Sequence, residues 1–233
     1  MTLADDAAAR IRGWLYDGTI GRDRFHSVPQ MAERLQMSRS PVREGLLRLA
    51  EAGLIEFVPQ RGFRPVRPTG QDVAEIFALR IALEPAAAAR AADARSSELA
   101  EELQRQLAAM RAAVDGDGAS FDRADERLHA AILDGTGNSR LTALIAGLRD
   151  TTRLIGASTA GRSRSRDEIL AEHQPIVDAI IEGEPQRAAA EMRGHLRSTG
   201  RLLVAQAHDD GDENAWRSWE SLVERALTSS SSM

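Results

Sequence analysis

There is no cysteine anywhere in the 233-residue chain. That absence excludes a disulfide framework and any thiolate-bound metal. Lysine is missing as well, and all 30 basic residues are arginine. Because this holds along the whole chain, it reads as coding bias rather than as a property of one surface. No apolar run approaches the roughly 20 residues a membrane helix needs, and no basic stretch followed by an apolar one opens the sequence. The expected compartment is the cytoplasm, with no membrane partner.

What is present is unevenly spread. Residues 1–68 hold 11 Arg against 8 Asp and Glu, while residues 69–233 hold 19 against 27, within a formal net charge of −5. A basic front on an acidic body points to a polyanion met by the front alone.

Helical periodicity dominates. Ala7, Ile11, Trp14 and Leu15 share one face of a first helix, and "VPQMAERLQM" reads as a short second one. After a break at residues 36–38, "SRSPVREGLLRL" starts a third helix, with Ser38 or Ser40 as cap and Pro41 at or near its first position. "LIEFV" and "FRPVR" around "PQRG" read as two strands joined by a turn. Beyond residue 70 we expect helices near 71–94, 97–114, 119–134, 138–157, 166–182 and 185–207. The amphipathic "NAWRSWESLVERAL", with an apolar stripe of Trp216, Trp219 and Leu222 that could pack on the bundle or across a dimer seam, and a Ser-rich tail follow. The fold class is mostly α: a winged helix-turn-helix over residues 1–68, an all-helical bundle over 69–212, and an extra helix and tail over 213–233.

In the third helix, Val42, Leu46, Leu49 and Ala50 share a face at 100° per residue. Arg43, Glu44 and Arg48 lie off it, and Arg39 precedes it. N-terminal arginines on an outward face suit base edges and phosphates in a major groove. Arg61 and Gly62 stand at the tip of the wing. The plainer reading is a solvated helix with Arg–Glu pairs. The wing and the local basic charge favour DNA.

The stretch "MAERLQMSRSPVREGLLRLAEAGLIEFVPQRGFRPV" resembles the winged helix of the GntR superfamily of bacterial transcription regulators. By that resemblance Arg39 and Arg43 are operator contacts, with Ser40 and Pro41 beside them and Gly62 at the wing tip; Ser38 and Arg61 complete the candidate DNA-binding set.

The later helices carry polar residues on inward faces. Asp125 and His129 lie on or beside the stripe of Phe121, Leu128 and Ile132. His173 falls among Ile169, Ile176, Val177 and Ile180, and His195 within the stripe of Met192, Leu196, Leu202 and Leu203. A lone inward histidine is most simply a hydrogen-bonded core residue. Three of them with a carboxylate suit a divalent transition metal such as zinc, nickel, manganese or iron. Arg80 sits mid-stripe in "FALRIALEP". It either pairs with Glu84 inside the core or clamps a ligand carboxylate. Asn138 is a helix N-cap or a pocket contact, and Thr152 lines a pocket or fills space.

"LRIALEP", "DERLH", "GNSRL", "EHQPIVDAI" and "MRGHL" resemble the FadR-type C-terminal effector domain, called FCD. The resemblance implies one metal per chain on Asp125, His129, His173 and His195, a small carboxylate or sugar acid beside it, and a homodimer. The expected function is a transcriptional regulator, of repressor type, on a palindromic operator. Two readings remain beside it: a metal-dependent hydrolase, and a regulator whose polar core is structural and binds no effector.

Overall fold

The structure is a computed structural model, and it describes residues 2–116, 118–154, 163–207 and 213–224. Contacts divide the chain into two units: Met1–Pro68 with Arg149–Gly156, and Thr69–Leu148 with Ala157–Met233.

The first unit holds α1 (Leu3–Tyr16), α2 (Val28–Leu35), α3 (Arg39–Glu51), β1 (Ile55–Val58) and β2 (Gly62–Pro65). Local chemistry sets the starts. Thr2 and Asp5 form a capping box on α1, and Ser27 and Gln30 form one on α2. The strands are antiparallel, pairing Ile55 with Pro65 and Val58 with Gly62. Ile11, Leu15, Met31, Val42, Leu46, Leu49, Ile55 and Phe63 make one core, so the apolar stripe expected on α3 is the face that packs down. Gly62 has φ +100°, and a Cβ there would stand 2.1 Å from the His26 carbonyl oxygen. Glycine is demanded here by the close approach of the chain's own backbone.

The second unit holds α4 (Gly70–Ala94), α5 (Ser97–Ala112), α6 (Gly118–Asp134), the start of α7 (Ser139–Arg153), α8 (Arg166–Glu182), α9 (Pro185–Ala207) and α10 (Glu213–Trp219), which runs into a π turn, Glu220–Glu224. Capping boxes start α4, from Thr69 and Asp72, and α8, from Ser165 and Glu168. α8 passes Pro175 without a break. Expected and observed boundaries agree within a residue or two for most helices, and α8 and α9 agree at both ends. α7 is the exception: it is described as helix only to Arg153, and residues 155–157 of the expected span lie outside the described residues. None of the described helices is long and apolar enough to cross a membrane.

The last residues of α7 count with the first unit. Leu154 is buried in its core, and Asp150 lies 3.6 Å from Arg12.

The C-terminal piece packs on the bundle. Trp219 is buried, with its ring centroid 6.4 Å from that of Phe77. Gly200 makes room, because a Cβ there would fall 2.5 Å from Trp219. The buried face is Ala215, Trp219 and Val223, whereas Leu222 is exposed. The stripe of Trp216, Trp219 and Leu222 read from spacing is therefore rotated. We expect Trp219→Ala to cost about 3–5 kcal/mol in urea unfolding, as a buried aromatic truncation does. A helix merely tethered to the bundle would change stability by less than about 0.5 kcal/mol.

Candidate metal centre and nucleic-acid interface

α4, α6, α8 and α9 each place a polar residue in the bundle interior: Glu84 and Arg80, His129, His173, and His195, all buried. The ligand nitrogens of the three histidines lie within 4.8 Å of one another. Each ring is tied from outside through Nδ1. That of His129 is 3.1 Å from Glu84 Oε2, that of His173 is 2.7 Å from the Ile169 carbonyl oxygen, and that of His195 is 2.9 Å from Glu172 Oε2. Carboxylate and carbonyl oxygens only accept, so the proton of each neutral ring belongs on Nδ1.

In a neutral ring so tied, the inner nitrogen carries a lone pair. His129 Nε2 and His173 Nε2 are 3.2 Å apart. Asp125, half-buried, sets Oδ1 at 3.0 Å from His173 Nε2 and 3.9 Å from His129 Nε2. Facing lone pairs at these distances repel unless a cation or a proton stands among them. Burial, and then the neighbouring His173, hold His195 down at about 4, so that ring is the neutral species a metal requires. The donor set fits a divalent ion through three imidazole nitrogens and the Asp125 carboxylate.

Behind the rings lie two arginine–carboxylate pairs. Arg80 Nε donates to Glu84 Oε1 at 2.6 Å, with the two side chains 5% and 1% exposed, and the guanidinium also stands 4.7 Å from the Phe77 ring centroid. The internal-pair reading of Arg80 is thus what the geometry contains, extended through Glu84 to His129. Arg164 pairs with Glu172 and also meets Thr199 Oγ1 at 2.9 Å, while Ser198 Oγ donates to Glu172 Oε1 at 3.0 Å. Burial raises the Glu172 carboxylate, but hydrogen bonds from His195 and Arg164 outweigh it and hold the group at about 2. An open cleft of about 580 Å³ borders this network, lined by Arg164, Glu172, Ser198 and Arg201 among others.

The sequence reading named the three histidines, Asp125 and Arg80, and the structure brings these together. It missed Glu172, Arg164 and Ser198. Glu172 lies about 100° around its helix from the inward His173, and its partner His195 is on α9, so spacing along one helix gives no signal for it. Asn138 is exposed and accepts from the Leu141 amide at 3.2 Å as the α7 cap. Thr152 is buried but counts with the first unit, where its hydroxyl donates to the Arg149 carbonyl at 2.8 Å. Among the described residues, each is thus seen in a local hydrogen bond of its own segment.

In the first unit, Ser38 precedes α3 without making a side-chain cap, which leaves first-turn amides for another acceptor. Ser38, Arg39, Ser40 and Arg43 are exposed and Pro41 is half-buried. The arginines divide into two sets. Arg48 is held by Asp5 and, at 2.6 Å, by Glu44, while Arg64 is held by Glu56 and Arg67 by Asp23. Arg48, grouped with the others by sequence, therefore serves the α1–α3 packing. Among the described residues, Arg39, Arg43 and Arg61 enter none of the ion pairs found.

Residues 3–64 match the model of the bacterial regulatory proteins of the gntR family, and residues 75–198 match the FCD domain. The chain belongs to the gntR family and carries an FCD domain. It is a transcriptional regulator of that type. Among curated GntR relatives, the transcriptional regulator LutR of Bacillus subtilis is 28% identical over 78% of this chain and 91% of its own length. The probable D-xylose utilization operon transcriptional repressor of Paenarthrobacter nicotinovorans is 30% identical over 80% of each. McbR/YncC of E. coli has the same fold, with a TM-score of 0.77 at 21% identity over 89% of this chain and 100% of that one.

Substituting Arg80→Met strands the Glu84 carboxylate in the core. The expected cost is about 3–5 kcal/mol in chemical unfolding, and a loss below about 1 kcal/mol would mean the pair is not desolvated as described.

Proposed function

We propose that this regulator is a repressor that binds a palindromic operator as a homodimer. It is released when a small carboxylate or sugar acid enters the FCD bundle beside a divalent transition metal. The observation that carries the reading is the convergence of the inner nitrogens of His129, His173 and His195, with every Nδ1 occupied from outside. Those nitrogens and Asp125 would hold the ion, with zinc the first choice. The ion would supply a Lewis-acid anchor for an anionic ligand. Arg80 and Arg164 set the charge of the site from behind their carboxylates. The cleft lined by Arg164 and Arg201 offers such a ligand space beside the cluster. That GntR relatives include named repressors supports the sign of regulation.

On the DNA side, Arg39 and Arg43 reach base edges and Arg61 a phosphate, with Ser38, Ser40, Pro41 and Gly62 shaping the surface around them. Freedom from internal ion pairs supports this choice, since a neutralised guanidinium attracts a polyanion weakly.

Three measurements test the proposal. Elemental analysis of protein purified without chelator should give about one divalent metal per chain, lost in His173→Ala. Glu172→Gln should weaken metal affinity by about 10–100-fold in a chromophoric-chelator competition; metal-free wild-type protein that takes none up would end the metal reading. Separately, Arg43→Ala should weaken specific operator binding by about 1–3 kcal/mol. Unchanged affinity would remove Arg43 from the recognition set.

A further inference from the structure

Arg61 lies in the wing turn, closed by its amide donating to the Val58 carbonyl at 3.1 Å. Its guanidinium carbon stands 3.9 Å from the centroid of the Phe25 ring, and that of Arg64 stands 5.7 Å from the same ring. Phe25 is half-buried and precedes His26. The His26 amide donates to the Phe63 carbonyl and the Phe63 amide to the His26 carbonyl, each at 2.8 Å. The ring is therefore fixed to the wing by backbone, as if on a short third strand. His26 is itself anchored, its Nε2 2.8 Å from the Gly21 carbonyl oxygen.

A guanidinium that lies on an aromatic face keeps its N–H edges for acceptors elsewhere. The contact engages the charge without neutralising it, unlike the carboxylates that hold Arg48 and Arg67. A long side chain ordered before binding also loses less freedom on binding.

We propose that Phe25 is a positioning residue for nucleic acid: its ring holds Arg61 preordered at the wing tip for a duplex backbone. This rests on the reading of Arg61 as a DNA contact. Phe25 itself touches no base or phosphate, and it acts through the arginine.

The test uses the full-length protein and a duplex enriched from a randomised pool by the wild-type chain, titrated by fluorescence anisotropy at several salt concentrations. Phe25→Leu keeps an apolar side chain without a ring and should weaken binding about two- to five-fold. Its salt slope should not change, because the charge remains. Phe25→Trp should retain wild-type affinity. Arg61→Ala should weaken binding and lower the salt slope by about 1, and adding Phe25→Leu to it should change nothing further. The inference is overturned if Arg61→Ala weakens binding while Phe25→Leu alone does not. It is equally overturned if Phe25→Leu costs as much in the Arg61→Ala background as in wild type, which is the mark of a merely structural ring. Wild-type affinity and slope in Arg61→Ala would instead overturn the wing contact itself.

Discussion

The bundle is organised around an arrangement that is expensive in an apolar interior: three imidazoles, a carboxylate and two arginine–carboxylate pairs. Such groups are tolerated only when each finds a partner. Here the partners come from different helices. Glu84 on α4 meets His129 on α6, Glu172 on α8 meets His195 on α9, and His173 is held within its own turn of α8. A shift of one helix against another would leave a donor or a carboxylate unmatched. The polar centre therefore fixes the register of four helices more narrowly than aliphatic packing alone does, since apolar contacts carry no direction. The apolar shell of Phe121, Leu128, Ile132, Ile176, Ile180, Met192 and Leu196 then supplies the burial that offsets the cost.

Much of this was legible because the informative residues repeat along single helices. His173 among Ile169, Ile176 and Ile180 can be read off one helical wheel, and so can Arg80 between Phe77 and Glu84. The same wheel misplaced the C-terminal stripe. It counted Trp216, Trp219 and Leu222, three apart, whereas the chain passes into a π turn after Trp219 and buries Ala215, Trp219 and Val223, four apart. Glu172 was illegible for a different reason. Nothing in its helix distinguishes it from a solvated acid, because the groups that engage it, Arg164 and His195, are 8 residues before it and 23 after.

Composition was also silent about which arginines remain available. Arg39, Arg43 and Arg48 share one helix and one residue type, yet Arg48 is claimed by Asp5, 43 residues earlier. A long-range acidic partner converts a potential phosphate contact into a packing device for α1 and α3. The wing shows the same sorting: Arg64 and Arg67 meet carboxylates, while Arg61 meets a ring. The basic bias of the first 68 residues therefore overstates the positive charge left unneutralised, and among the described residues the start of α3 and the wing tip are places where arginines enter none of the ion pairs found.

The charges behind the candidate metal site bear on what it would accept. Asp125, Glu84 and Glu172 bring three negative charges, and Arg80 and Arg164 return two positive ones, around three imidazoles, which bind an ion in their neutral form. This leaves the centre with one formal negative charge, an unfavourable partner for a carboxylate ligand. Under the proposed reading, a divalent ion reverses the sign to a single positive charge, which one carboxylate group would neutralise. Affinity for an anionic effector would then depend on the ion through the charge of the whole centre as well as through direct coordination. The two arginines matter to that balance although carboxylates stand between them and the histidines. Without them the same ion would leave the centre negative, and an anion would meet repulsion. An effector can change operator affinity only through a difference in its binding between two states of the protein. A centre whose charge so nearly cancels is one where a small change in helix register alters that difference.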